Sequence, residues 1–195
     1  MDMTEALTQT KQIYSMKELK ALGLSYYQIN KMVESKGLSR LNKSFYENLT
    51  FTGDSNDFYF IPAFVPDGII CLMSAAVYYN LSTFRPSAID VAVPAKKKIT
   101  TQPEFFDLSL HYFSEEKLNL GVKLITEGQN SFKIFDIEKT VADIICARNK
   151  IGIEETKEVL VNYLSRSTKN INALYRYAEK LKCIKTLKSY LEVLI

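Results

Sequence analysis

Glycine and proline are scarce, at 7 and 5 of 195 residues, which argues for compact elements and against flexible low-complexity segments. Long apolar runs are missing. The longest, as at Ile69 to Met73, reach about five residues, far below the roughly 20 that cross a bilayer. The N-terminus, Met1-Asp2-Met3-Thr4-Glu5, is acidic and has no extended apolar stretch, so no signal peptide is expected. Net charge is small: 25 basic against 22 acidic residues leave +3, too little by itself to announce a polyanionic partner. The three cysteines, Cys71, Cys146 and Cys183, are odd in number, widely spaced and set in apolar neighbourhoods. The expectation is buried free thiols in a reducing compartment, hence a cytoplasmic protein with no membrane partner. The 47% hydrophobic and 24% charged content is ordinary for a globular chain, and the length suffices for one large domain or two small ones.

Catalytic constellations are equally sparse. His111 is the only histidine, in the alternating stretch Leu108-Ser109-Leu110-His111-Tyr112-Phe113. That stretch reads as a strand carrying His111 on the face opposite Leu108, Leu110 and Tyr112, at the surface or partly packed. One histidine and no cysteine pair at ligand spacing cannot assemble a His/Cys zinc site. The seven glycines are isolated, so no phosphate-cradling loop begins at any of them, and there is no Gly-x-Ser-x-Gly elbow. Asp136, Glu138 and Asp143 surround the helical spacing Ile137, Val141, Ile144, Ile145. Asp136 suits the N-cap, Glu138 the first turn and Asp143 a solvated edge. No enzyme, cofactor or metal is expected.

What is present is an uneven charge. Residues 11–46 carry seven basic side chains against two acidic; residues 47–95 carry Arg85 against five acidic ones; residues 149–195 carry nine basic against five acidic. The turn-rich stretch Thr52 to Asp57 is the candidate boundary, giving a domain at 1–53 and a body at 54–195. In the head, Ser15-Met16-Lys17-Glu18 and Ser25-Tyr26-Tyr27-Gln28 are two capping boxes. The first opens a helix from Met16 to Leu22 that Gly23 ends in a left-handed conformation. The second opens a helix to about Lys36, ended by Gly37, with Ile29, Met32 and Val33 as its apolar stripe. A third helix around Thr4 to Thr10 would support the pair. Leu38 to Leu41, a turn at Asn42-Lys43-Ser44 and Phe45-Tyr46 then read as a basic β-wing. The head is therefore expected to be a winged helix-turn-helix that binds DNA. Recognition helices enter the major groove by their N-terminal turns, which here hold Tyr26, Tyr27, Gln28, Asn30 and Lys31. Ser25 and Gln28 serve the cap, Tyr27 and Asn30 suit base edges, and Lys31 suits phosphate or guanine. Lys17, Arg40 and Lys43 would clamp the backbone.

The body reads as mixed α/β. Phe58 to Phe64 is expected to be extended, Ser74 to Tyr79 a short helix, and Ala88 to Val93 a strand stopped by Pro94. Phe105 to Phe113 and Val122 to Ile125 are further strands. Helices follow from about residue 137. In this tail Ile171, Leu174, Tyr175, Ala178 and Leu181 form an apolar stripe. Lys169, Arg176 and Lys180, spaced by seven and four, would share one face and offer a secondary DNA contact, although a solvated face is the commoner use of such spacing. The fold class expected overall is α+β: an N-terminal winged helix-turn-helix, a mixed α/β body and a helical C-terminal tail.

Several segments together resemble the AbiEi family of antitoxins, the transcriptional regulators of AbiE (type IV) abortive-infection toxin–antitoxin systems. They are Ser15 to Ser25, Gln28 to Ser35, Gly37 to Leu41 with Phe45-Tyr46, Pro66 to Ala76, Tyr79-Asn80-Leu81, Ile89 to Pro94 and Phe135-Asp136-Ile137-Glu138-Lys139-Thr140-Val141-Ala142-Asp143. The resemblance spans nearly the whole chain from Ser15, and its middle and Asp-x-Glu-Lys-Thr-Val-Ala-Asp segments are its most specific. It implies an antitoxin that represses its own operon by binding double-stranded DNA at promoter inverted repeats. It also implies a cognate nucleotidyltransferase-type toxin, countered functionally, with or without a stable complex, in phage defence. That toxin's own signature, Gly-Ser followed by paired aspartates, is missing here. The alternative reading is a protein–protein module that binds and neutralises a partner toxin directly.

Overall fold

Ser15 and Ser25 start the first two helices by the same device. The Ser15 hydroxyl accepts from the Glu18 N–H and the Glu18 carboxylate accepts from the Ser15 N–H; Ser25 and Gln28 repeat the exchange. Each exchange satisfies amides that a helix start leaves orphaned. In this computed structural model, which describes residue 7, residues 9–99 and residues 102–194, the two helices are α1 (Met16–Ala21) and α2 (Tyr26–Glu34). Gly23 adopts φ +85° after α1, and its N–H and that of Leu24 donate to the carbonyls of Lys20 and Leu19. After α2 the left-handed residue is Lys36 (φ 59°), not the following Gly37, although the Gly37 N–H closes the turn onto Met32 O. The helix expected over Thr4 to Thr10 lies largely outside the described residues, of which Gln9 and Thr10 form a turn.

Two units make up the chain. The first holds Met1–Asp67, Ile99–Pro103 and Leu124–Phe132; the second holds Gly68–Lys98, Glu104–Lys123 and Lys133–Ile195. In the first, β1 (Ile13–Ser15), β2 (Leu38–Arg40) and β3 (Phe45–Asn48) form an antiparallel sheet in the order β1-β3-β2, with Tyr14 and Arg40 both opposite Tyr46. Leu19, Leu24, Ile29, Met32, Leu38 and Tyr46 pack into its core. Buried polar groups are paired: Gln12 N–H donates to Asn130 Oδ1 at 2.7 Å, and Asn130 Nδ2 donates to Thr10 O. Phe58 to Phe64 is not extended. Asn56 accepts from the Phe58 N–H and opens a 3-10 turn, Asp57–Phe60, which continues into α3 (Ile61–Phe64) with a proline in its first turn. The capping side chain and the proline outweigh the β preference of the aromatic residues.

The remaining elements are β4 (Ile69–Ile70), α4 (Leu72–Tyr78), β5 (Ala88–Pro94), β6 (Asp107–Phe113), α5 (Glu115–Leu118), β7 (Val122–Glu127), β8 (Asn130–Phe135), α6 (Ile137–Cys146), α7 (Arg148–Ile151), α8 (Ile153–Leu164), α9 (Ile171–Lys180) and α10 (Ile184–Leu194). The five strands form one mixed sheet in the order β6-β5-β4-β8-β7; β5 pairs parallel to β6 and antiparallel to β4, and β4 pairs parallel to β8. The fold class is α+β with a helical C-terminal segment. Among the described residues no helix is long and apolar enough to cross a membrane.

Asp136 caps α6 through Lys139 N–H at 2.8 Å, as its position suggested, and Val141, Ala142, Ile144 and Ile145 bury the helix against α4, α8 and α9. Asp143 is a correction: it is buried, not solvated, and pairs with Lys139, whose side chain is itself wholly buried over the Phe135 ring. Burial pushes the Asp143 carboxyl up, against the pull of Lys139. The cysteines are a second correction. Cys146 and Cys183 form a disulfide with Cα atoms 5.5 Å apart, joining the end of α6 to the turn between α9 and α10; Cys71 is the buried free thiol. A separation of 37 residues hides this pair until the helices pack together.

Candidate nucleic-acid interface

Ile29 and Met32 anchor α2 in the core, which turns Tyr26, Tyr27, Asn30, Lys31 and Glu34 outward. Tyr27 is 74% exposed and Tyr26 57%, high values for residues that usually bury most of their ring. Ser25 and Gln28 are committed to the cap, Gln28 through Oε1 to the Ser25 N–H at 2.8 Å. Tyr27, Asn30 and Lys31 are the groups left for contact along this face. Lys17 is exposed on α1. Arg40 and Lys43 are exposed on the β2–β3 hairpin, whose turn is held by Asn42: its Oδ1 accepts from the Ser44 and Phe45 N–H groups, and its Nδ2 donates to Ala63 O. None of Lys17, Lys31, Arg40 and Lys43 forms an ion pair among the described residues. Glu18, the one acidic residue of α1, is occupied by Lys11 and its own cap; burial raises its pKa, but the hydrogen bonds from Lys11 and Ser15 outweigh that and hold it below the usual carboxylate range.

One side chain at this face escaped the reading of the sequence. Lys20, in the last turn of α1, lies over the Tyr26 ring with its Nζ 3.8 Å from the centroid. The contact crosses the turn at Gly23, so no helical spacing within either element announces it. It fixes the ring at the start of α2 and leaves a cation beside it.

The tail residues do not all share a face. Arg176 and Lys180 are exposed one turn apart on α9, but Lys169 precedes the helix, outside the Asn170 N-cap, and its Nζ donates to Arg166 O. The seven-residue spacing therefore has no helical meaning, because an N-cap falls between.

In the second unit His111 meets partners that strand alternation alone could not supply. Its Nε2 is 2.7 Å from Asp90 Oδ1 and 3.1 Å from Ser109 Oγ. Asp90 Oδ2 accepts from the Ser74 N–H in the first turn of α4, and the Asp90 N–H donates to Ser74 Oγ. The face of β6 that packs inward is the one carrying His111 and Phe113; Tyr112 is 57% exposed. Because one ring nitrogen serves both Asp90 and Ser109, the three do not form a Ser–His–Asp relay, which needs the two ring nitrogens in series. No family model matches the sequence, and no curated protein matches it.

Proposed function

We propose that β1 to β3 with α1 and α2 constitute a winged helix-turn-helix: α2 is the recognition helix and the β2–β3 hairpin the wing. On this reading the chain is an AbiEi-type antitoxin and transcriptional repressor that binds inverted repeats in the promoter of its own operon in the cytoplasm. It counteracts a nucleotidyltransferase-type toxin in phage abortive infection, acting by binding and not by catalysis. The resemblance of the sequence supplies the family. The observation that carries the DNA reading is the exposed polar face of α2, anchored from behind by Ile29 and Met32 and flanked by the exposed cations Lys17, Arg40 and Lys43.

Asn30 and Tyr27 are the base readers, Lys31 serves phosphate or guanine, and Lys17, Arg40 and Lys43 hold the backbone. Arg176 and Lys180, one turn apart on α9, are the secondary phosphate contacts. The experiment is a set of binding isotherms on an operator duplex and a scrambled duplex at several salt concentrations. Asn30→Ala is expected to cost about 1–3 kcal/mol on the operator and little on the scrambled duplex, as a lost base contact does. Lys43→Ala is expected to weaken both in parallel and to reduce the salt slope by about one. Parallel losses from both variants remove Asn30 from the reading set. No loss from either moves the DNA surface elsewhere, and a docking head for protein would show no such salt slope.

A further inference from the structure

The second unit contains a groove of about 1050 Å³, lined among others by Phe84, Ile151, His111 and the buried Asp90 and Asp143. Its size suits a ligand larger than an ion, since small-molecule sites run to roughly 300–1,000 Å³. The carboxylates that line it already have partners. Asp143 is paired with Lys139, and Asp90 holds the N-terminal turn of α4 through Ser74 and the Nε2 of His111. Asp90 Oδ1 and Ser109 Oγ both meet Nε2, and Nδ1 is left without a hydrogen bond among the described residues. Lys117, from α5, and Lys150, from α7, also line the groove, and neither has an ion-pair partner among the described residues. Counting Lys139, three ammonium groups stand against the carboxylates of Asp90 and Asp143, an excess of one positive charge, with Lys117 also acting on Asp143. Phe84, which also lines the groove, presents a flat ring that is 49% exposed and open to stacking of a planar group.

We propose that this groove is a binding site for a mononucleotide, whose phosphate is held by Lys117 and Lys150 and whose base stacks on Phe84. The imidazole of His111, its ring fixed by Asp90, offers Nδ1 to the ligand. This site is separate from the DNA-reading face and does not depend on that assignment.

Calorimetric titration of the full chain with adenosine and guanosine 5′-monophosphates tests it, with adenosine, guanosine and inorganic phosphate as controls. At least one monophosphate is expected to bind more tightly than its nucleoside and than phosphate. Lys117→Ala/Lys150→Ala should weaken that monophosphate by on the order of tenfold or more while leaving the nucleoside unchanged. Phe84→Ser should weaken nucleoside and nucleotide together. Phe84 and Lys150 are exposed and Lys117 is half-buried, and equal melting temperatures of the unliganded variants verify that they fold. The proposal is overturned if neither monophosphate binds at millimolar concentration, or if phosphate alone binds as tightly as the nucleotide. It is equally overturned if the double lysine variant binds like the wild type, or if Lys43→Ala abolishes nucleotide binding and so places the ligand on the α2 face. Operator binding by the Lys117→Ala/Lys150→Ala variant, expected to be unchanged, is read on the same samples, so failure of the nucleotide site and failure of the DNA reading register separately.

Discussion

Lys139 and Asp143 carry the largest electrostatic risk in the chain, because both side chains are almost fully removed from water. Their attraction offsets a desolvation cost of several kcal/mol per ion, and either one alone would be an uncompensated buried charge. Asp143→Ala is therefore expected to destabilise by about 3–5 kcal/mol, whereas Lys139→Met/Asp143→Leu, which removes both charges and keeps apolar volume, should lose much less. Denaturant melts of Asp143→Ala, Lys139→Met, Asp143→Leu and the double variant check it; additive losses in the double variant would mean that the pair is not coupled. Glu158 shows the opposite balance. Its carboxylate accepts from Ser82 Oγ, the Thr83 N–H and Thr83 Oγ1, and those hydrogen bonds hold its pKa below the ordinary 4.5. A carboxyl depressed by folding contributes stability that is fully present above its unfolded pKa and is lost as pH falls through the lower folded value. Glu158→Gln should cost up to about 1 kcal/mol near neutrality and progressively less in acid, given its exposure to solvent. Thermal melts from pH 7 down to pH 3 would show the wild-type and variant curves converging; a constant gap would assign the loss to packing.

At the scale of elements, the helix starts are the most legible features. Ser15, Ser25 and Asp136 each act on an amide three residues ahead, so the sequence alone exposes the motif. Ser25→Ala is expected to destabilise by about 1 kcal/mol, the usual worth of such a cap. Lys36→Gly should act in the other direction. Lys36 sits at φ 59° where α2 ends, a conformation that costs an L-residue with a side chain about 1 kcal/mol, and glycine relieves most of it. Equilibrium unfolding of both variants tests the pair of signs, and a loss from Lys36→Gly would mean that its side chain makes a contact worth more than the strain. Strand positions were legible for the same local reason: alternation marks Ala88 to Val93 and Val122 to Ile125. What depends on distant chain was not. The disulfide, the Asp90–His111 contact and the burial of Lys139 all arise from which elements pack together, and periodicity carries no information about that. Lys169 failed for a simpler cause, because a spacing of seven has meaning only inside one uninterrupted helix. Of the proposed DNA face, the exposed set on α2 was readable from the stripe Ile29, Met32 and Val33, while the Lys20–Tyr26 stack was not.

Across the whole molecule, chain order and unit membership part company. Leu124–Phe132 follows much of the second unit in sequence yet belongs to the first, where Asn130 bonds to Thr10 and to Gln12. A cut at residue 53 would leave Asn130, itself buried, without either partner and would open part of its surroundings to water. The fragment 54–195 is therefore expected to be less stable than the same residues in the intact chain, even though the apolar cluster of the second unit lies entirely within it. Separating the proposed activities is better done with point variants of the full chain. Asn30→Ala/Lys43→Ala changes only exposed side chains, so it should leave the melting temperature in place, abolish repression of the operon and preserve protection against the toxin. The fragment should protect only at temperatures where it remains folded, with a melting transition several degrees below that of the intact protein, since each kcal/mol lost shifts a domain of this size by about 2–4 °C. Paired reporter and toxin-rescue assays, run beside thermal melts of both proteins, provide the comparison. A double variant that loses repression and protection together would tie neutralisation to the α2 face. A fragment that melts with the full chain would show that the Asn130 contacts contribute nothing to the stability of the body.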